Sequence, residues 1–210
     1  MRKSVKFLLW FAGLTVVLLI VGRLVGLRFW TVPDDPFLGA SVAPTLAGGD
    51  MVIVLESGER TSSDVVRCRD PEDAQRWVVG RIYGGANDKV KIEKGVVSLN
   101  GKRYAPQDAC TDSQVPTINP ATGVSKTLRC SRVEFAGGWH FIASSSDVDS
   151  SPSEHTVGPG RYFLVSDNRV HHDDSRDFGA VPVETCSGKI LFRLWGKDGF
   201  TSKGRFTVIR

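Results

Sequence analysis

The sequence has no internal repeat, and outside one N-terminal segment nothing in it carries helical periodicity. Repeat arrays and helical bundles are therefore excluded. No cysteine pair has the C-x-x-C spacing of a zinc site, since Cys68, Cys110, Cys130 and Cys186 stand far apart. Residues 1–28 lack any acid but carry Arg2, Lys3, Lys6, Arg23 and Arg28. Taking those five charges from the net +4 leaves −1 for the rest of the chain. A near-neutral remainder lacks the clustered basic face of a nucleic-acid binder, which excludes nucleic acid as a partner. What is plentiful is glycine and proline, 22 and 10 of 210 residues. So many turn formers point to a chain that is mostly β. It is long enough for one domain with a sizeable core and an inserted subdomain.

Phe7 to Gly22 runs without a charge, and beyond Arg23 the apolar run continues to Leu27. A span over 7–27 is about as long as a bilayer crossing requires, with Arg23 able to snorkel near one end. No small-x-small cleavage site follows; the run ends in Arg28-Phe29-Trp30, which favours a retained anchor over a cleaved signal peptide. The basic residues within 1–6 place the N-terminus in the cytoplasm, so the expected location is a single-pass protein of the inner or plasma membrane whose domain is extracytoplasmic. Phe29 and Trp30 stand where interfacial aromatics would. Four cysteines suit an oxidising exterior. Cys110 and Cys130 bracket a polar stretch and are expected to pair, while Cys68 and Cys186 are either a second bridge or two buried thiols.

Met51–Leu55, Val65–Cys68, Trp77–Tyr83, Lys89–Glu93 and Val96–Leu99 read as short strands, with Asn100-Gly101 as a hairpin turn. Arg161–Val165, Lys189–Trp195 and Phe206–Ile209 read as strands late in the chain. Between them, residues 104–156 hold Pro106, Pro116, Pro120 and Pro152, Gly137-Gly138 and the run Ala143-Ser144-Ser145-Ser146-Asp147. This stretch reads as a loop-rich insertion. The expected architecture is an antiparallel, barrel-like β domain of residues 31–103 and 157–210, an inserted subdomain over 104–156 and one N-terminal transmembrane helix.

Three motifs carry chemistry. Ser41-Val42-Ala43-Pro44-Thr45-Leu46, followed by Gly49-Asp50, presents a serine on a proline-stiffened turn. Gly80-Arg81-Ile82-Tyr83-Gly84-Gly85-Ala86-Asn87-Asp88-Lys89-Val90 follows. Ser166-Asp167-Asn168-Arg169, then His171-His172-Asp173-Asp174-Ser175-Arg176 and Gly179-Ala180-Val181-Pro182, completes the set. In this order behind an anchor, they resemble the bacterial type I signal peptidases. The resemblance covers residues 38–50, 64–101 and 157–196. It implies an antiparallel β fold and a serine endopeptidase that removes signal peptides from exported preproteins. Ser41 is then the nucleophile, and its backbone N–H contributes to an oxyanion hole. Preprotein signal peptides and the lipid bilayer are the implied partners, and no cofactor or metal is implied.

The sequence departs from that family at the base. The family's lysine falls on Gly80, which has no proton acceptor, and Arg81 cannot replace it because a guanidinium does not deprotonate. Lys89 matches a lysine that the family carries after its turn. Gly39 stands where some members place a hydroxyl donor, and the serine beside the family's lysine falls on His172. Asp167, Asn168, Asp174, Ser175 and Arg176 fall on supporting positions. Histidine accepts protons near neutral pH, so His172 is expected to serve as base, oriented by Asp174 or Asp173, in the volume that Gly80 leaves open. The alternative is a non-cleaving relative that binds signal peptides or a paralogous active signal peptidase. A self-cleaving repressor peptidase, a weaker third reading, lacks support because no helical DNA-binding domain is present. His171 and His172 with their carboxylates also suit incidental metal binding. His140 and His155 match no motif and read as surface or packing residues.

Overall fold

The computed structural model describes residues 2–146, 148, 151–202 and 204–210. Met1 and Asp147, both part of the sequence reading, lie outside them. In chain order the elements are α1 (Arg2–Leu24), β1 (Leu27–Thr31), α2 (Pro36–Ser41), β2 (Met51–Leu55), β3 (Val65–Arg69), β4 (Trp77–Gly84), β5 (Lys89–Glu93), β6 (Val96–Leu99) and β7 (Lys102–Tyr104). They continue with β8 (Ala109–Ile118), β9 (Ser125–Phe135), β10 (Gly138–Ser144), β11 (Ser153–Thr156), β12 (Arg161–Val165), α3 (Ser175–Phe178), β13 (Val181–Pro182), β14 (Cys186–Trp195) and β15 (Thr207–Val208). The protein is mostly antiparallel β with one long apolar helix, as the sequence led us to expect.

The largest sheet has the order β1-β2-β14-β3-β4-β12-β13, with β15 added to β14. Sheets β11-β5-β6-β7 and β10-β9-β8 complete the body. Within α1, Val5–Leu24 is long and apolar enough to cross a membrane, and its side chains are exposed. The helix stops at Leu24, short of the expected Leu27. Gly26 takes φ +84°, and Leu27 is already paired with Leu55 of β2.

Residues 104–156 are not loop-rich. β8 and β9 form a long ribbon, and β10 pairs with β9. Pro116 misleads because it lies on β8, an edge strand of its sheet, where a missing backbone donor is tolerated. Nor does the insertion pack apart from its surroundings. One core cluster joins Tyr83, Val90, Ile92 and Val97 to Val133, Phe135 and Ile142, and to Val157, Phe163 and Val165. The Cys110–Cys130 bridge expected from the sequence is present, and Cys68–Cys186 forms a second one between facing residues of β3 and β14.

A second cluster positions the serine. Leu38, Val42 and Leu46 pack on Val52, Val54, Val65, Val79 and Ile190 of the large sheet. α2 starts there because Pro36 occupies its first turn and Asp35 caps it, Asp35 Oδ1 accepting the N–H groups of Phe37 (2.8 Å) and Leu38 (3.1 Å).

Phe135 stacks on Tyr83 at 4.2 Å between centroids and meets Tyr104 edge-on at 4.9 Å. Phe135→Ala is expected to lower unfolding free energy by about 3–5 kcal/mol in chemical denaturation. A loss below about 1 kcal/mol would show that the sheets do not share this core.

Candidate active site

Ser41 ends α2 and is fully buried. Its hydroxyl donates to the Leu38 carbonyl at 2.9 Å. Asn168 grips the same turn from the far side. Its backbone N–H donates to the Ser41 carbonyl (3.0 Å) and its amide Nδ2 to the Ala40 carbonyl (2.9 Å). Asn168 Oδ1 accepts the N–H groups of Val170 and His171, each at 3.0 Å. One side chain thus joins the serine turn to the start of the histidine loop. Gly39, within α2, has room: a Cβ there would stand 3.5 Å from the Gly48 nitrogen, ordinary contact.

Beneath the turn lies a buried ion pair. Arg81 Nε and Nη2 donate to Asp167 Oδ1 (2.9 Å) and Oδ2 (2.7 Å), a bidentate pair with both side chains almost wholly buried. Thr45 donates its hydroxyl to Asp167 as well. Arg81 Nη1 reaches the carbonyls of Ser63 (2.7 Å) and Arg210 (2.5 Å). Burial alone would raise the Asp167 carboxyl, but Arg81 and the Thr45 hydroxyl outweigh it and hold the group below the usual carboxylate range.

His140, expected as a surface or packing residue, packs into this interior from β10, a strand the sequence reading did not anticipate. Nε2 shares a hydrogen bond with the Tyr83 hydroxyl at 2.8 Å and lies 3.9 Å from Asp167. Arg169 Nη2 donates to the same Tyr83 oxygen at 2.7 Å. Burial, then the nearby Arg81, lower the His140 pKa to about 2, so the ring is neutral. His155 packs on Phe163, with ring centroids 4.9 Å apart.

Gly80 does not leave the expected open volume. A Cβ built on it would come within 2.9 Å of the Leu164 Cβ, where no real side chain sits. The cavity beside it, lined by Val42, Thr45, Leu46, Val79 and Asp167 among others, holds about 10 Å³. That accommodates at most one water and no lysine side chain.

His172 lies at the surface of the loop that follows Asn168, with its side chain about one-third exposed. The acid on its ring is Asp177, not Asp174 or Asp173. His172 Nδ1 and Asp177 Oδ2 are 2.7 Å apart, both within or beside the α3 turn. Asp174 is otherwise engaged. It caps α3, accepts the Ser166 N–H at 2.6 Å and takes Arg176 Nη2 at 2.7 Å. Burial would raise its pKa, but the Arg176 pairing lowers it instead. Ser175 is buried and donates a different service, its hydroxyl accepting the Leu164 N–H at 2.9 Å. Asp173 turns away to Arg76. Ligand atoms of His172, Asp174 and Asp177 lie within 4.8 Å of one another, yet the Asp174 oxygens are taken by Arg176 and backbone donors, so the group works as a cap and ion pair. His172 lines a cavity of about 410 Å³ with Ile92, Arg169 and Asp177, and Ser41 is not on its wall.

The sequence profile described as "Signal peptidase, peptidase S26" matches residues 8–195. The chain belongs to the signal peptidase family. Signal peptidase IB of Staphylococcus aureus is 26% identical over 199 residues, covering 92% of this chain and 91% of that protein. Signal peptidase I of Streptococcus pneumoniae is 25% identical over 190 residues, covering 87% and 91%. The crystal structure of a signal peptidase I from Enterococcus faecalis superposes with a TM-score of 0.38 at 19% identity, covering 63% of this chain and 97% of that one. Membership of this serine peptidase family, together with an N-terminal helix long and apolar enough to cross a membrane, points to a membrane-anchored protein.

The buried neutral His140 gives a pH signature. An exposed histidine titrates near pH 6.5 and His140 near 2, so below pH 6.5 the unfolded chain takes up a proton that the folded one refuses. Stability from this group is full above about pH 6.5 and falls as pH drops toward 2. In His140→Asn, unfolding free energy should decline less steeply between pH 6.5 and 4 than in wild type, by up to about 1.4 kcal/mol per pH unit. Parallel curves would contradict a neutral buried ring.

Proposed function

We propose that the protein is a signal peptidase I-type serine endopeptidase that removes signal peptides from exported preproteins at the outer face of the membrane. Ser41 is its nucleophile and His172, held by Asp177, its base. The observation that carries the reading is the 2.7 Å contact between His172 Nδ1 and Asp177, which fixes the ring and leaves Nε2 to take a proton. The supporting frame is intact: the Arg81–Asp167 pair and Asn168 hold the serine turn. In the reaction, the serine turn and the histidine loop must first close on each other, because Ser41 is buried and off the wall of the His172 cavity. Ser41 Oγ then leaves the Leu38 carbonyl and attacks the scissile carbonyl carbon while Nε2 takes its proton. The proton passes to the leaving amine, an acyl-enzyme remains, and water releases it by the same route. The preprotein binds extended beside the site, with small side chains at the last and third-last positions of its signal peptide. Arg2, Lys3 and Lys6 at the start of α1 support a cytoplasmic N-terminus, and with it a site that meets its substrate outside.

A second reading has its own observation. Ser41 is fully buried, and the Gly80 site has no room for a lysine. Held in that state, the protein grips signal peptides, or an active paralogue, without cutting.

Cleavage of a preprotein by the detergent-solubilised protein separates the two. On the first reading wild type cuts, and Ser41→Ala, His172→Ala and Asp177→Asn each lower kcat by about 10²–10⁴-fold. Wild type that binds the preprotein but leaves it whole supports the second.

A further inference from the structure

Arg76 ends the turn between β3 and β4 and belongs to none of the three motifs. Its guanidinium gives each nitrogen to a different carboxylate. Nε lies 3.6 Å from Asp35 Oδ2, Nη1 3.1 Å from Asp70 Oδ2, and Nη2 3.3 Å from Asp173 Oδ2. These carboxylates come from three distant stretches of chain.

The roles of the three acids differ. Asp70 is buried and fixed, its Oδ1 accepting the Glu72 N–H at 2.8 Å. Asp70 and Arg76 also close their own turn through the Asp70 N–H and the Arg76 carbonyl at 3.2 Å. Asp35 uses one oxygen to cap α2, the helix that ends in Ser41, and offers the other to Arg76. Asp173 follows His172 directly and precedes Asp174, the cap of α3. Arg76 therefore stands on a fixed turn and holds the first turn of the serine helix on one side and the histidine loop on the other.

The charge balance gives the clasp a sign. Asp35, Asp70, Asp73 and Asp173 all act on this one guanidinium. Without it, three carboxylates at its tips would face one another with no cation between them and push the segments apart. An isolated surface ion pair is worth little, but here three carboxylates meet one planar fork whose donors point in fixed directions.

We propose that Arg76 is a positioning residue that sets the placement of the serine helix relative to the His172–Asp173 loop, with Asp70 as its anchor. This rests on the reading of Ser41 and His172 as nucleophile and base. A lysine at this position would keep the charge but reach fewer of the acids at once.

The test uses the full-length protein in detergent with Arg76→Gln and Arg76→Lys, read by hydrogen exchange and by preprotein cleavage. In Arg76→Gln, amides of Phe37 and Leu38 and those of Val170 and His171 should all exchange faster while the amides of β2 and β14 keep their protection. kcat should fall by about ten- to a hundredfold with KM little changed. Arg76→Lys should recover part of both effects. Faster exchange confined to residues 70–76, or unchanged kcat in a cleaving enzyme, overturns the proposal. If wild type does not cleave, the catalytic reading fails by itself, and the exchange pattern alone decides whether Arg76 joins the two segments.

Discussion

The buried pair between Arg81 and Asp167 is the constraint on which the site depends. A charge taken out of water is costly unless it is met by an opposite charge and its remaining hydrogen bonds are filled. Both conditions hold. Asp167 takes two bonds from Arg81 and one from Thr45, while Arg81 spends its remaining nitrogen on the carbonyls of Ser63 and Arg210. Thr45 is four residues from Ser41, and Asn168 follows Asp167 directly. The pair therefore joins the strand that carries Gly80 to both segments that shape the serine turn.

From that frame the rest of the site follows by short links. Asp167 and Asn168 lie beside β10 through the Ala143 N–H to Asp167 carbonyl bond at 2.9 Å and the Arg169 N–H to Ala143 carbonyl bond at 2.8 Å. The ribbon of β8, β9 and β10 is thus fastened to the site, and His140 of β10 reaches into the same polar interior. The neutral His140 ring and the Tyr83 hydroxyl share that interior with Arg169. Where the family keeps a lysine, Leu164 packs against Gly80, so the base position has become part of the core. His172 and Asp177, paired at 2.7 Å, lie outside that core on the α3 side.

Much of this was legible in the sequence. The apolar continuity of Met51–Leu55 and Trp77–Tyr83, and the Asn100-Gly101 turn, report strands and a hairpin because burial and positive φ leave direct marks on residue type. The three motifs marked the serine turn and singled out Arg81, Asp167 and Asp174, but not the Arg81–Asp167 pairing or α3. What was hidden depends on contacts distant in sequence. Strands β8 to β10 look like loops because their exposed faces are polar and Pro116 lies at an edge. The ring of His172 has Asp173 and Asp174 as nearer neighbours in sequence, yet Arg76 and Arg176 claim those two and leave Asp177. The space at Gly80 could not be read either, since Leu164, which fills it, lies on β12 across the sheet.

If the Arg81–Asp167 pair organises the serine turn, residue-resolved hydrogen exchange of Asp167→Asn will reveal it. The relevant amides are those of Thr45 and Leu46, bonded to the Val42 carbonyl, of Asn168, bonded to Ser41, and of Ala143, bonded to residue 167. With the pair organising the turn, all four should lose protection well beyond the amides of β2 and β14 in the same variant. Protection falling equally everywhere, or holding at these four, would contradict it.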